Sequence, residues 1–358
     1  MANHRNIKDR AIGLYDFVED GVMAIGRLYH PRTMREKGIA WTLSLLLITQ
    51  LIIILLLGWY WTKEPDEFNV RHVILLDNNG QTSIPERLAT GQVFTNTLIH
   101  IADTLLHKRG GFISNDKLLP GIYLDNMPSW EEGALEALRD AASALRNNFA
   151  RSQSQSLENP ELAQAVPHFN YQRDSWILPS TESEYQQGID HLRNYMTALV
   201  DPEGKNAHFY PRADNLSQYL QVLEKRLGSL SHRLSASSIH THMHVMDESL
   251  RQKLDVERTP WFRIDNVFYE ARGAAWAISH ILQAIEVDFQ DVLQKKNAVV
   301  SLHQIVHELE DALSPILSPV VLNGDGYGIF ANYSLTTANH IARATAATLD
   351  LKDLLTRG

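Results

Sequence analysis

Residues 41–61 read WTLSLLLITQLIIILLLGWYW. The stretch carries no charge, and about 20 helical residues rising about 1.5 Å each cover the roughly 30 Å hydrocarbon core of a bilayer. Ser44, Thr49 and Gln50 interrupt its interior, which one helix tolerates. Trp41 at one end and Trp59, Tyr60 and Trp61 at the other have apolar rings with a polar N–H or O–H, which suits the headgroup layer, so these four are expected at the membrane interface. A cleaved signal peptide has a shorter apolar region, roughly 7–15 residues, close to the N-terminus and ending in small residues. Here 40 residues come first, and the run leads into Gly58-Trp59-Tyr60-Trp61 with no Ala-x-Ala site. A retained transmembrane helix over 41–61 is the expectation.

Orientation follows from the flanking cations, because Lys and Arg beside a span resist translocation. Arg5, Lys8, Arg10, Arg27, Arg32, Arg35 and Lys37 precede the span, and only Lys63 and Arg71 follow it closely. The N-terminus is therefore expected in the cytoplasm and residues 62–358, in a bacterial cell, in the periplasm.

The whole chain has a net charge of −9; the part after the span keeps 26 of the 33 basic and 37 of the 42 acidic residues, a net of about −11. Such a domain repels nucleic acid and anionic lipid and accommodates neutral or cationic partners more readily. The chain has no cysteine, which excludes thiolate catalysis, iron–sulfur clusters and disulfide exchange.

Ahead of the span, Ile7, Ala11, Leu14, Val18, Val22, Ile25 and Leu28 fall three and four apart, one stripe of an amphipathic helix within a cytoplasmic segment over 1–40. It suits the lipid surface, a cytoplasmic partner or self-association as a homo-oligomer. After the span, 62–84 reads as a charged spacer with a short β-like run, Val70 to Leu76, broken by Asp77-Asn78-Asn79-Gly80.

From Pro85 the pattern becomes helical. A first helix ends at Gly110-Gly111. A second starts at the capping-box sequence Ser129-Trp130-Glu131-Glu132 and fades in Arg151-Ser152-Gln153-Ser154-Gln155-Ser156, and a third starts at a second box, Thr181-Glu182-Ser183-Glu184, and stops at Asp201-Pro202. A fourth begins near Asp214 and carries Leu216, Leu220, Leu223, Leu227, Leu230 and Leu234, a bundle seam. The fifth and sixth cover Pro260–Asp288 and Phe289–Leu313; Ala271, Ala274 and Ala275 in the fifth would let a neighbouring helix approach closely. A last helix runs from about Leu335 to Leu355. The fold class expected is mainly α, one N-terminal transmembrane helix followed by a multi-helix bundle over 85–358. The loops 110–128 and 151–179 are long for a bundle, so they pack as ordered loops or carry function.

Asp125-Asn126-Met127-Pro128-Ser129-Trp130, Arg151 to Ser156, Asp174-Ser175-Trp176-Ile177-Leu178-Pro179-Ser180 and Arg212-Ala213-Asp214-Asn215-Leu216 together resemble segments of an uncharacterised proteobacterial family known only as a domain of unknown function. The resemblance covers most of the chain, span included. It implies a Gram-negative inner-membrane protein and transfers no catalytic residue.

The most pointed local cluster is His240-Thr241-His242-Met243-His244, with Met246, Asp247 and Glu248 following. In extended chain His240, His242 and His244 share one side and suit copper or zinc; on a helix the rings scatter, and a solvated connector is the commoner use. No metal or cofactor is assigned. His303 and His307 lie one turn apart, as do His100, Asp103 and His107, but the metalloprotease pattern needs Glu where Gln304 stands. Ser114-Asn115-Asp116-Lys117 matches a Ser-x-x-Lys pattern without its companion motifs, and Gly324-Asp325-Gly326-Tyr327-Gly328 follows Pro-rich chain and reads as a turn. Trp130, Trp176, Trp261 and Trp276 line a glycan or peptide groove or, more commonly, pack in a core. No catalytic residue emerges. The function expected is a scaffold or assembly factor contacting the bilayer through 41–61 and other envelope proteins through its helical domain. The alternatives are an envelope hydrolase or lyase acting on peptidoglycan or a related polymer, and a periplasmic metal or ligand sensor. A continuous cleft with converging carboxylates would favour the enzyme, and an exposed apolar surface the binding role.

Overall fold

The computed structural model describes residues 23, 26–71, 88–152, 157–201, 207–237, 259–316, 318, 320–324 and 331–357. The described chain is helical and, among the described residues, contains no strand beyond an isolated bridge between Asn323 and Asn332. It divides into two units, 1–59 and 60–358.

In the first unit, α1 (Pro31–Lys37) starts with His30 accepting a hydrogen bond from the Arg32 N–H and with proline at its first position, where the missing N–H costs nothing. Pro31 thus opens a helix. The following helix, α2, covers Ile39–Trp61 and is long and apolar enough to cross a membrane. Leu47, Leu51, Leu55 and Leu56 on it are exposed. Ser44 and Thr49 return their hydroxyls to carbonyls one turn back, at Ala40 and Leu45, so neither polar group is left unpaired.

The second unit holds α3 (Gln92–His107), α4 (Asn126–Ala144), α5 (Pro160–Phe169), α6 (Thr181–Val200), α7 (Ala213–Ala236), α8 (Ile264–Asp288), α9 (Gln290–Lys295), α10 (Val299–Ala312) and α11 (Tyr333–Arg357). The central element is α8. It packs on α4 most extensively, and on α3 and α10, while α7 packs on α11 and α5 on α6. Two glycines that the sequence reading did not single out explain the α4–α8 crossing. A Cβ on Gly273 would lie 1.9 Å from the Trp130 carbonyl oxygen, and one on Gly133 the same distance from that of Glu270. The two backbones touch because these positions have no side chain.

The predicted seam of α7 is buried in all six of its leucines, as are Leu98, Ile101 and Leu105 on α3, Leu135 and Leu138 on α4, and Ile189 and Leu192 on α6. The boundaries differ from expectation in instructive places. Helix α4 starts a turn before Ser129, whose hydroxyl donates to the Asp125 carbonyl at 2.8 Å instead of capping. Helix α6 is capped by Ser180, which accepts from the Ser183 N–H, and not by Thr181. Leu88 is exposed outside α3. The expected loop 151–179 contains α5, opened by Asn159 accepting from the N–H groups of Glu161 and Leu162 with Pro160 at the first position. The expected sixth helix is broken between α9 and α10, where Asn297 adopts φ 51°. The N-terminal stripe before residue 23, most of the β-like run, and the segment 238–258 lie outside the described residues.

The strip following α2 is docked on α8. Glu64 pairs with Arg272 through two hydrogen bonds of 2.7 Å, and Arg272, almost fully buried, also donates to the carbonyls of Ala312, Leu313 and Ser314, the C-terminal end of α10. Trp276 Nε1 donates to the Asp66 carbonyl at 3.3 Å, and the Phe68 N–H donates to His280 Nε2 at 3.0 Å while the two rings stack. What composition reads as a spacer is, over Glu64–Phe68, part of the domain's packing.

Candidate functional site: a charged cleft with an apolar collar

Three connecting segments meet around a cleft of about 900 Å³. The first, 108–125, leaves α3 through Gly110 and Gly111, both at φ in the left-handed region, and is held from beneath by one carboxylate. Glu131 of α4 is fully buried and accepts from the Ile113 and Ser114 N–H groups at 2.8 Å each, from the Ser114 hydroxyl at 2.5 Å, and from the buried Lys108 ammonium at 2.5 Å. Every lone pair it offers is used. A buried charge is tolerable on those terms only.

The second segment, 170–180, is tied to the first. Asn115, fully buried, donates to the Ser175 carbonyl at 2.9 Å and to Glu182 at 2.8 Å. Thr181 Oγ1 donates to the Gln172 carbonyl at 2.9 Å, and the Ser175 hydroxyl to that of Pro179 at 2.8 Å. The third segment is the short turn Trp261–Arg263 that opens α8.

The three segments display apolar side chains to solvent. Leu118, Leu119, Ile122 and Tyr123 on the first, Trp176, Ile177 and Leu178 on the second, and Trp261 and Phe262 on the third are exposed, Tyr123 by 81%, Leu178 by 91% and Trp261 by 80%. Leu178 also holds φ 60°, a conformation in which its Cβ is strained. Single exposed leucines are ordinary; here nine large apolar residues are exposed on three segments that each also contribute lining residues to one cleft.

The cleft itself is charged with both signs. Asp116, Asp125, Glu132, Asp174 and Glu270 line it together with Arg173, Arg233 and Arg263. Arg173 pairs with Glu132 at 2.7 Å, and Arg233 with Glu270, with 2.7 Å for one of the two hydrogen bonds. Burial pushes the Asp116 carboxyl up, with Glu131 and Glu182 adding repulsion and Lys108 offsetting part of it. No histidine is among the lining residues. Of the Ser-x-x-Lys match, Ser114 lines the cleft but donates to Glu131, and Lys117 is exposed.

The family model for "Uncharacterized protein conserved in bacteria (DUF2333)" matches residues 34–358. The chain belongs to this bacterial family. No curated protein and no solved structure matches it. Two of the four strings that carry the family resemblance fall at the site: in this DUF2333 chain Asp125–Trp130 opens α4 beneath the cleft, and Asp174–Ser180 is the second loop. Arg212–Leu216 opens α7, while 153–156 lie outside the described residues.

The other residues singled out by sequence are dispersed. Trp130 and Trp276 are buried and lie 5.2 Å apart, whereas Trp176 and Trp261 belong to the collar. Trp59 and Tyr60 are exposed, Trp41 and Trp61 half-buried; Arg109 lies over the Tyr60 ring. His240, His242 and His244, and Asp325 to Gly328, lie outside the described residues. His303 pairs with Glu286 at 3.2 Å and His307 faces Asp311 at 3.8 Å, so they do not converge on a common ion. His100 is part of the aromatic stack around Phe68.

A metal-like grouping that sequence did not suggest is Glu308, Asp311 and His340. Both oxygens of the buried Glu308 are engaged, one by Arg343 at 2.5 Å and one by His340 at 3.0 Å. With a guanidinium already supplying the positive charge, the group joins α10 to α11 as an ion-pair link. Sequence reading also missed Glu131 and Asn115, since nothing in a single chain marks which carboxylate or amide is buried. The run Leu118-Leu119-Pro120-Gly121-Ile122-Tyr123 did carry a signal, apolar residues placed in turn-forming chain.

Proposed function

We propose that this protein is a bitopic inner-membrane protein of a bacterial envelope, with its N-terminus in the cytoplasm and its helical domain in the periplasm, and that the domain serves as a scaffold or assembly factor by binding other envelope proteins. The apolar helix Ile39–Trp61 and the cations before it support the anchoring and the orientation. The observation that carries the binding role is the collar: Tyr123 and Leu178 stand in solvent on loops that Glu131, Asn115 and Thr181 hold in place, and Trp261 stands in solvent on the short turn that opens α8. Fixed aromatic and aliphatic groups bind at low entropic cost, because little freedom remains to be lost. Glu132 and Glu270 are each already engaged by a guanidinium, of Arg173 and Arg233, an arrangement that suits recognition.

A photo-crosslinking amino acid placed at Leu178 or Trp261 of the full-length protein in intact cells tests the role. Discrete protein adducts are expected from both positions and not from the exposed Lys225 on α7. Adducts to lipid alone, or none, would overturn it.

A further inference from the structure

The cleft and its collar differ in character, and together they narrow the partner's chemistry. Five carboxylates and three guanidiniums line the cleft. Two of the guanidiniums are already matched to Glu132 and Glu270. Among the lining residues that leaves Asp116, Asp125 and Asp174 against Arg263, an excess of two negative charges, with Lys108 acting on Asp116 from outside the lining. The Asp116 carboxyl is pushed up first by burial and then by Glu131 and Glu182, and that of Asp265 by burial and by Asp125. An incoming cation relieves this crowding; an anion worsens it.

We infer, building on the binding role proposed above, that the cleft receives a lysine or arginine side chain of a partner polypeptide, with the apolar residues flanking that cation lying against Leu178, Trp261 and Tyr123. The volume suits this, since sites of roughly 300–1,000 Å³ take a ligand of a few residues and not a folded domain. The collar strengthens the pair it surrounds. Apolar side chains closing over the cleft exclude water, and an ion pair out of water is worth more than one at the surface. An anionic lipid surface is the competing occupant for an exposed apolar collar, and charge disfavours it: the portion of the chain after residue 61 carries about −11.

The test uses full-length protein in lipid nanodiscs and a phage-displayed library of random peptides. Selected peptides are expected to carry lysine or arginine flanked by leucine, phenylalanine or tryptophan. A synthetic peptide of the selected sequence should bind at least about tenfold more weakly to the Asp116→Asn/Asp174→Asn double variant, equivalent to about 1.4 kcal/mol. Binding to the unaltered protein should also weaken as salt is raised, a dependence the double variant should largely lose. Circular dichroism verifies that the variant is folded, and the charge-reversed peptide, which needs no variant, should not bind. Because the chain lacks cysteine, Leu178→Cys can carry a single nitroxide whose lipid exposure reports the competing occupant. Acidic or charge-indifferent selected sequences, equal binding to the double variant, no selection at all, or a nitroxide buried in lipid would each overturn the inference. Crosslinks from Leu178 to proteins through acidic segments would sink this inference while leaving the binding role intact.

Discussion

His280 lies buried in α8 and holds the strip after the apolar helix through an unprotonated nitrogen: Nε2 accepts from the Phe68 N–H, which requires Nδ1 to carry the proton it gives the Trp276 carbonyl at 2.6 Å. Burial, aided by His100, lowers its pKa to about 4 from an ordinary 6.5. The unfolded chain therefore takes up the proton first as pH falls. The stability contributed by neutral His280 is present above about pH 6.5 and is lost as pH drops towards 4, about 3 kcal/mol across the window. His280→Gln keeps an acceptor and cannot titrate, so its deficit against the unaltered protein should shrink between pH 7 and pH 4 in urea unfolding; a constant difference would show that the ring's charge state does not matter. Asp288 acts in the opposite sense. Its carboxylate caps α3 through the Gly91 and Phe94 N–H groups, yet burial raises its pKa to about 6, so its contribution is lost as pH rises through that value. None of this was legible in the sequence, because burial of a single histidine or aspartate is a property of the packing around it.

At the scale of elements, the sequence was most readable where periodicity and packing say the same thing. The leucines of α7 recur at three, four and seven, and every one is buried. Helix α5 was missed although its start carries both an asparagine cap and a proline at the first position, because the serine-rich tract before it and Pro167 within it outweighed ten helical residues. The box at Ser129 misled for a related reason: four residues with capping chemistry also fit one turn inside a helix. The α4–α8 crossing allows a sharper test. Gly273→Ala would drive a methyl into the Trp130 carbonyl and should destabilise the protein by about 3 kcal/mol, since closely packed backbones cannot give way cheaply. Gly228→Ala on α7 meets nothing within 4 Å and should stabilise it by about 0.5–1 kcal/mol. Thermal melts of the two variants should shift in opposite directions. Similar shifts would mean that the crossing is looser than this contact requires.

For the whole molecule, the fold class and the apolar helix were legible, the first from repeated amphipathic stripes and the second from uncharged length. The cleft was legible only in its parts. Its apolar loops and acidic residues could be seen in the sequence, but their meeting depends on Asn115 tying one loop to another 60 positions away and on Glu131 beneath them. The proposed partner, its charge and the periplasmic setting all rest on which side of the membrane the domain occupies. Parallel C-terminal fusions to alkaline phosphatase and to a green fluorescent protein in a Gram-negative host measure that side directly. Active phosphatase with a dark fluorescent fusion is expected. Inactive phosphatase with a fluorescent fusion would place the domain in the cytoplasm and contradict the envelope role.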